Sequence, residues 1–271
     1  MDAGTRAGPG RDRPAPTPLP LTYLEFHLAF TAPPLVALAL LQGRTRVAWW
    51  PLALLVVIAF TWTTPWDNYL VAREVWTYPL DRVLARIGYV PVEEYAFFVI
   101  QTVMTGLWTR LFQTHWPEPV ARPGGVGARV AGAAFFGALA VLGAVLWWRG
   151  GHGLYLGLIL VWACPVLAMM WGIGGHLLTA RRRVLAWAVG PPTLYLWIAD
   201  RVAIGQGIWD ITDASRTGVD LLGLPVEEAL FFLVTNLMVA QGLIMLEPTA
   251  MPETVGRLTR RGRARTGASA A

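Results

Sequence analysis

Apolar runs close to twenty residues long recur along this chain, and they leave it very few ways to fold. About 20 such residues make a helix long enough to cross a hydrocarbon core roughly 30 Å thick. Runs bounded by arginine, proline and glycine clusters predict seven spans, at residues 22–42, 47–64, 92–112, 129–148, 154–173, 184–203 and 226–246. A chain of 271 residues that is 55% hydrophobic and only 14% charged fits that reading, and does not fit a water-soluble core. The expected fold class is all-α integral membrane.

The net charge of +5 is carried by arginines, because the chain has no lysine, and they sit in loops and in a tail from Arg257 to Arg265. Beside membrane spans they read as a topology signal and lipid contact, with no aromatic-basic platform for nucleic acid. Nine of the 22 fall at the N-terminus and in the loops after spans two, four and six: Arg6, Arg11, Arg13, Arg73, Arg82, Arg86, Arg149, Arg201 and Arg216. The rest, including Arg181 to Arg183 and the tail, fall on the opposite side, so the positive-inside rule predicts a multi-pass cell-membrane protein with a cytoplasmic C-terminus. The single cysteine, Cys164, lies inside a span and can form no intrachain disulfide. Residues 1–21 contain five prolines and no apolar run, which is not a secretory signal pattern. They are expected to form a disordered leader, and 248–271 a basic disordered tail.

The second half of the chain lies over the first in a nearly constant register. Tyr23, Leu24 and Pro33 fall on Tyr155, Leu156 and Pro165, displaced by 132; Asp67 and Trp76 fall on Asp200 and Trp209, displaced by 133. "PVEEYAFF" from Pro91 falls on "PVEEALFF" from Pro225, displaced by 134. Each copy holds three spans, over residues 22–113 and 154–247, and 114–153 supplies a linker with one connecting span. That extra span restores the orientation of the second copy. The reading is therefore two parallel three-helix repeats joined by a linking helix, with both acidic pairs on one side of the membrane.

A proline followed by glutamates is also what an ordinary helix start looks like, since carboxylates there complement the positive end of the helix dipole. Recurrence of the pair, each time followed by two phenylalanines at helical spacing, favours function: Glu93 shares a face with Phe97, and Glu94 with Phe98. The second copy repeats this with Glu227 and Phe231, and with Glu228 and Phe232. Ionisable residues at a membrane helix are costly and are functional candidates by default. Two neighbouring carboxyls in a poorly hydrated site cannot both ionise cheaply, which yields a general acid beside a general base. Fourteen tryptophans, ten phenylalanines and seven tyrosines offer π faces that can shelter a cation. Most of the tryptophans and tyrosines suit membrane interfaces. Trp62, Trp66 and Trp76, however, cluster near Asp67, while Trp197 and Trp209 flank Asp200. A carboxylic acid facing an aromatic, water-poor chamber suits proton-initiated carbocation chemistry on an alkene.

At these residues the sequence resembles the membrane-integral lycopene cyclases built of two related small subunits, sometimes fused in one chain. The match lies in "PWDNYLV" from Pro65, "PVEEYAFFVIQT" from Pro91, "IADRVAIGQGIW" from Ile198 and "PVEEALFFLVTN" from Pro225, and extends from Tyr23 to about Gly242. The resemblance implies an enzyme that closes the open ends of lycopene into rings. An acid protonates the terminal double bond, the cation is captured intramolecularly to close a six-membered ring, and a base removes a proton. The net change is isomerisation, so no redox cofactor is implied. Carried over, Glu93, Glu94, Glu227 and Glu228 are the acid-base candidates, with Asp67 and Asp200 as supporting carboxylates. The alternative for each aspartate is that it ends its span and pairs with an arginine such as Arg73 or Arg201. Phe97, Phe98, Phe231, Phe232, Trp66, Trp76 and Trp209 are the substrate-binding candidates, with ordinary helix packing as the alternative. Because both acidic pairs share one face while lycopene is about as long as the membrane is thick, one composite site between the halves is expected, treating the two ends in turn.

Other classes fit less well. A retinal protein needs a Schiff-base lysine, which this chain lacks. "GIGGHL" from Gly172 is no dinucleotide loop, and "DITD" from Asp210 is too short a cluster for a diphosphate-bound metal. His27, His115, His152 and His176 show no paired ligand spacing, so neither cofactor nor metal is expected. The remaining alternatives are a cyclase of C50 or other acyclic carotenoids and a non-catalytic carotenoid carrier or proton-coupled transporter. The expected partners are the polyene and membrane lipid, not nucleic acid; a homo-oligomer or contact with other carotenoid-pathway enzymes is compatible with the reading.

Overall fold

The computed structural model describes residues 20–42, 49–115 and 125–246. Residues 1–19 of the expected leader, and the expected basic tail, lie outside the described residues. Seven long helices fill the described part: α1 (Tyr23–Leu41), α2 (Trp50–Ala72), α3 (Val92–His115), α4 (Val126–Arg149), α5 (Leu154–Ala180), α6 (Arg182–Gly205) and α7 (Val226–Leu246). Four of the helical stretches are long and apolar enough to cross a membrane: Tyr23–Leu41, Val126–Arg149, Gly151–Ala180 and Val226–Leu246.

Local chemistry accounts for the helix ends. The Thr22 hydroxyl accepts from Glu25 N, and the Glu25 carboxylate accepts from Thr22 N at 2.8 Å, which closes the first turn of α1. α1 then passes through one wider π turn, His27–Thr31, ahead of Pro33 and Pro34. Neither proline has an N–H, so the carbonyls four residues back, on Ala29 and Phe30, lose their usual helical donors.

Two helices run well past their apolar runs, to Ala72 and Ala180. The extension of α2 matters more, because that helix was expected to stop before Pro65. Pro65 removes one backbone donor, yet α2 continues for two further turns and keeps Asp67 and Leu70 fully buried. A buried backbone group has no better partner than its own helix, and one missing bond is less costly than unwinding.

The segments between α2 and α3 and between α6 and α7 were expected as polar loops, and they contain short ladders. Arg86–Ile87 (β2) pairs with Val90–Pro91 (β3), and Asp220–Leu221 (β5) with Leu224–Pro225 (β6), 134 residues on. Trp76–Thr77 (β1) pairs antiparallel with Asp210–Ile211 (β4), Thr77 facing Asp210, its counterpart in the 133-residue register. Left-handed backbone recurs as well, with Glu74 and Gly207 at φ 56° and 67°, and Gly88 and Leu222 at 65° and 54°.

α4 lies along α5 through glycines. A Cβ on Gly143 would stand 2.6 Å from the Leu160 Cβ, and one on Gly157 would stand 2.6 Å from Trp147 N. The largest buried cluster draws on both halves and is rich in aromatic rings, with Tyr23, Phe26, Trp76, Tyr155, Trp162, Phe231 and Phe232 among its members.

Candidate active site

Each hairpin leads straight into a helix, so Pro91 and Pro225 end a strand while Glu93–Glu94 and Glu227–Glu228 stand in the first turn of α3 and α7. All four glutamates are buried, Glu227 at 0% exposure. The two members of each pair face different ways. Glu93 Oε1 accepts from Leu84 N at 2.7 Å, and Glu227 Oε1 accepts from Thr217 N at 2.6 Å, so these two carboxylates tie down the loop that precedes their helix. Glu94 and Glu228 instead line one shared cavity.

Tyrosines hold these two carboxyls. Tyr23 donates its hydroxyl to Glu94 Oε2, and Tyr78 donates to the same oxygen at 3.1 Å. Tyr155 donates to Glu228 Oε1 at 2.5 Å, and Trp76 Nε1, from the other half, donates to that oxygen at 3.1 Å. Each pair of donors converges on one carboxylate oxygen. Burial pushes the Tyr78 phenol well above its ordinary value, and the neighbouring Glu94 adds to this, so Tyr78 remains a donor.

Asp200 also lines the cavity and accepts from Trp209 Nε1 at 2.9 Å. Asp67 is wholly buried, with neither oxygen hydrogen-bonded among the described residues. The alternative in which the aspartates end their spans against arginines does not hold. Both lie about a turn inside their helices. Arg73 lies over the Tyr69 ring, and Arg201 Nε donates to Leu222 O.

Of the aromatic candidates, Phe97, Phe231, Phe232, Trp76 and Trp209 line the cavity. Phe98 packs instead against Phe60 and Tyr95, and Trp66 stacks on both Trp162 and Phe231. The cavity measures about 20 Å³, room for roughly one water molecule. Anything larger than water therefore enters only as the surrounding side chains part.

Tyr23, Tyr78 and Tyr155 were not among the sequence candidates. The repeat had already aligned Tyr23 with Tyr155, which was the available signal. Tyr78 falls on Ile211 in the second copy, so nothing in the repeat marked it.

A family model described as lycopene cyclase matches the chain twice, at residues 20–112 and 152–242. A lycopene beta-cyclase of Halobacterium salinarum is 42% identical over 233 residues, covering 83% of this chain and 95% of that protein. A bifunctional lycopene cyclase/phytoene synthase of Arthroderma gypseum is 36% identical over 85% of this chain and 42% of its own length. One of the same description from Gibberella fujikuroi is 38% identical over 82% and 39%. No solved structure matches.

Proposed function

The chain belongs to the lycopene cyclase family, and on that premise we propose that it closes the ends of lycopene into β-type rings within the chamber between its halves. The observation that carries this is the shared cavity: Glu94 from α3 and Glu228 from α7 line one aromatic space. One carboxyl delivers its proton to the terminal double bond. The cation closes onto the neighbouring double bond, sheltered by the faces of Phe97, Phe231, Phe232, Trp76 and Trp209. The other carboxylate takes up the proton released from the ring. One proton enters and one leaves, so the product is an isomer and no oxidant is consumed. Tyr23, Tyr78, Tyr155 and Trp76 hold the two carboxyls in place, while Glu93 and Glu227 position the loops behind them. Asp200 adds a third carboxyl to the wall, and Asp67 supports it from behind.

The wider architecture in this proposal is seven spans, as two parallel three-helix repeats joined by α4. Even α2, with 23 residues, reaches about 34 Å at roughly 1.5 Å per residue, enough for the hydrocarbon core. The recurring hairpins, the recurring left-handed positions and the pairing of Thr77 with its own counterpart support a pseudo-two-fold between the halves. The arginine distribution sets the C-terminus on the cytoplasmic side.

Expression in a lycopene-accumulating bacterium tests the function. The wild-type chain is expected to convert the pigment to cyclic products. Glu94→Gln and Glu228→Gln are each expected to abolish both ring closures, because the two carboxyls serve one site. Acyclic pigment despite full accumulation of the wild-type chain in the membrane defeats the lycopene reading. A variant that stops cleanly after one ring indicates one site per half.

A further inference from the structure

The halves meet mainly where α3 packs on α6 and α7 and where α2 packs on α7; outside these contacts lie two seams, α1 against α6 and α2 against α5, which no sustained backbone packing joins. The register that puts Asp67 on Asp200 puts Trp66 on Ala199, so the two seams are filled differently. In the α2–α5 seam the Trp66 ring stacks on Trp162 at 4.5 Å and its Nε1 donates to Leu158 O at 3.0 Å. α4 lies beside this seam on α5, and its Trp147 donates to the Tyr69 hydroxyl of α2 at 3.3 Å. In the α1–α6 seam the same position holds only a methyl group. The cavity runs to this side, where Leu196, Ala199 and Phe26 form its wall, and it does not touch Trp66 or Trp162.

Among the described residues, one hydrogen bond bridges the α1–α6 seam. Tyr195, part-exposed on the outer face of α6, donates to Phe30 O at 2.5 Å. That carbonyl is the one left without its helical donor by Pro34. Leu194 and Ile198, beside Tyr195, are exposed on the surface that faces lipid in the reading above.

We propose that the polyene enters the chamber sideways from the bilayer through the α1–α6 seam, and that Ala199 is the residue that leaves this seam passable. The proposal rests on the cyclase reading. A hydrocarbon end slides past Phe30 and Tyr195 and reaches Glu94 and Glu228, while the rest of the chain stays in lipid. Trp66 stops the opposite seam, so the chamber has a single mouth and the two ends of the substrate use it one after the other.

The test is pigment conversion in the lycopene-accumulating bacterium, normalised to membrane-inserted protein. Ala199→Trp copies the blocked seam and is expected to lower conversion at least about tenfold, the equivalent of roughly 1.4 kcal/mol. Val141→Trp, on the exposed face of α4, controls for the added ring and is expected to convert normally. Conversion by Ala199→Trp within about twofold of wild type overturns the mouth, as does faster conversion by Trp66→Ala, which would open the other seam. If Ala199→Trp does not reach the membrane, Ala199→Val carries the same test, with a loss of at least about threefold expected and an unchanged rate overturning the proposal. Failure of the wild-type chain to cyclise is a separate outcome, and it defeats the functional reading rather than the entry route.

Discussion

At the scale of single residues, the site depends on neutral donors aimed at acids. Glu228 receives the Tyr155 hydroxyl and the Trp76 indole on one oxygen, and a hydrogen bond to a charged group contributes about 1.5–3 kcal/mol. Tyr155→Phe is therefore expected to lower kcat by roughly tenfold or more, with little change in thermal midpoint because the ring stays packed; Trp76→Phe is expected to lower kcat similarly and to lower the midpoint too, because the smaller ring leaves a gap at a buried site. Purified enzyme in lipid nanodiscs, assayed for both quantities, checks this; an unchanged kcat in both variants would remove Glu228 from the chemistry. The glutamates themselves were legible in the sequence because they recur. Their division of labour was not, since adjacent helical residues point about 100° apart and only the fold decides which one meets a loop amide. The indole of Trp76, which crosses to the acid of the other half, follows from packing between copies, and no periodicity within one copy encodes it.

At the scale of elements, number and type were legible and extent was not. The seven apolar runs correspond to seven helices, but α2 and α5 overrun their apolar stretches by about two turns. The overrun residues mix polar and apolar side chains on a face that the bundle buries, which a count of consecutive apolar residues cannot follow. The two-residue strands were likewise too short to leave a pattern of alternation. The α4–α5 contact carries its own prediction. Helices in lipid gain most from close approach at small residues, and Gly143 sits against Leu160 and Val161 with no space for a side chain. Gly143→Leu is expected to destabilise the folded chain by about 2 kcal/mol or more, seen as a lower midpoint in detergent thermal unfolding. A midpoint equal to wild type would mean that α4 is not held through this contact.

At the scale of the whole molecule, the repeat register led to the expectation of one composite site between two halves, and the structure brings Glu94 and Glu228 to the same cavity. Register says nothing of how the copies differ, so the unlike seams became visible only in three dimensions. Orientation is testable at this scale. With the C-terminus inside the cell, a fluorescent protein fused after Ala271 is expected to fold and emit, and alkaline phosphatase fused there to stay inactive. The reverse pattern would turn the bundle over and move the acids to the cytoplasmic leaflet. The strand pair in which Thr77 meets Asp210 has a further consequence. Two identical polypeptides could associate through that same ladder and enclose the same acids, but identity would oblige both flanks to be alike. Only when the copies are free to diverge, as tandem parts of one gene are, can one flank be stoppered and the other left as a doorway.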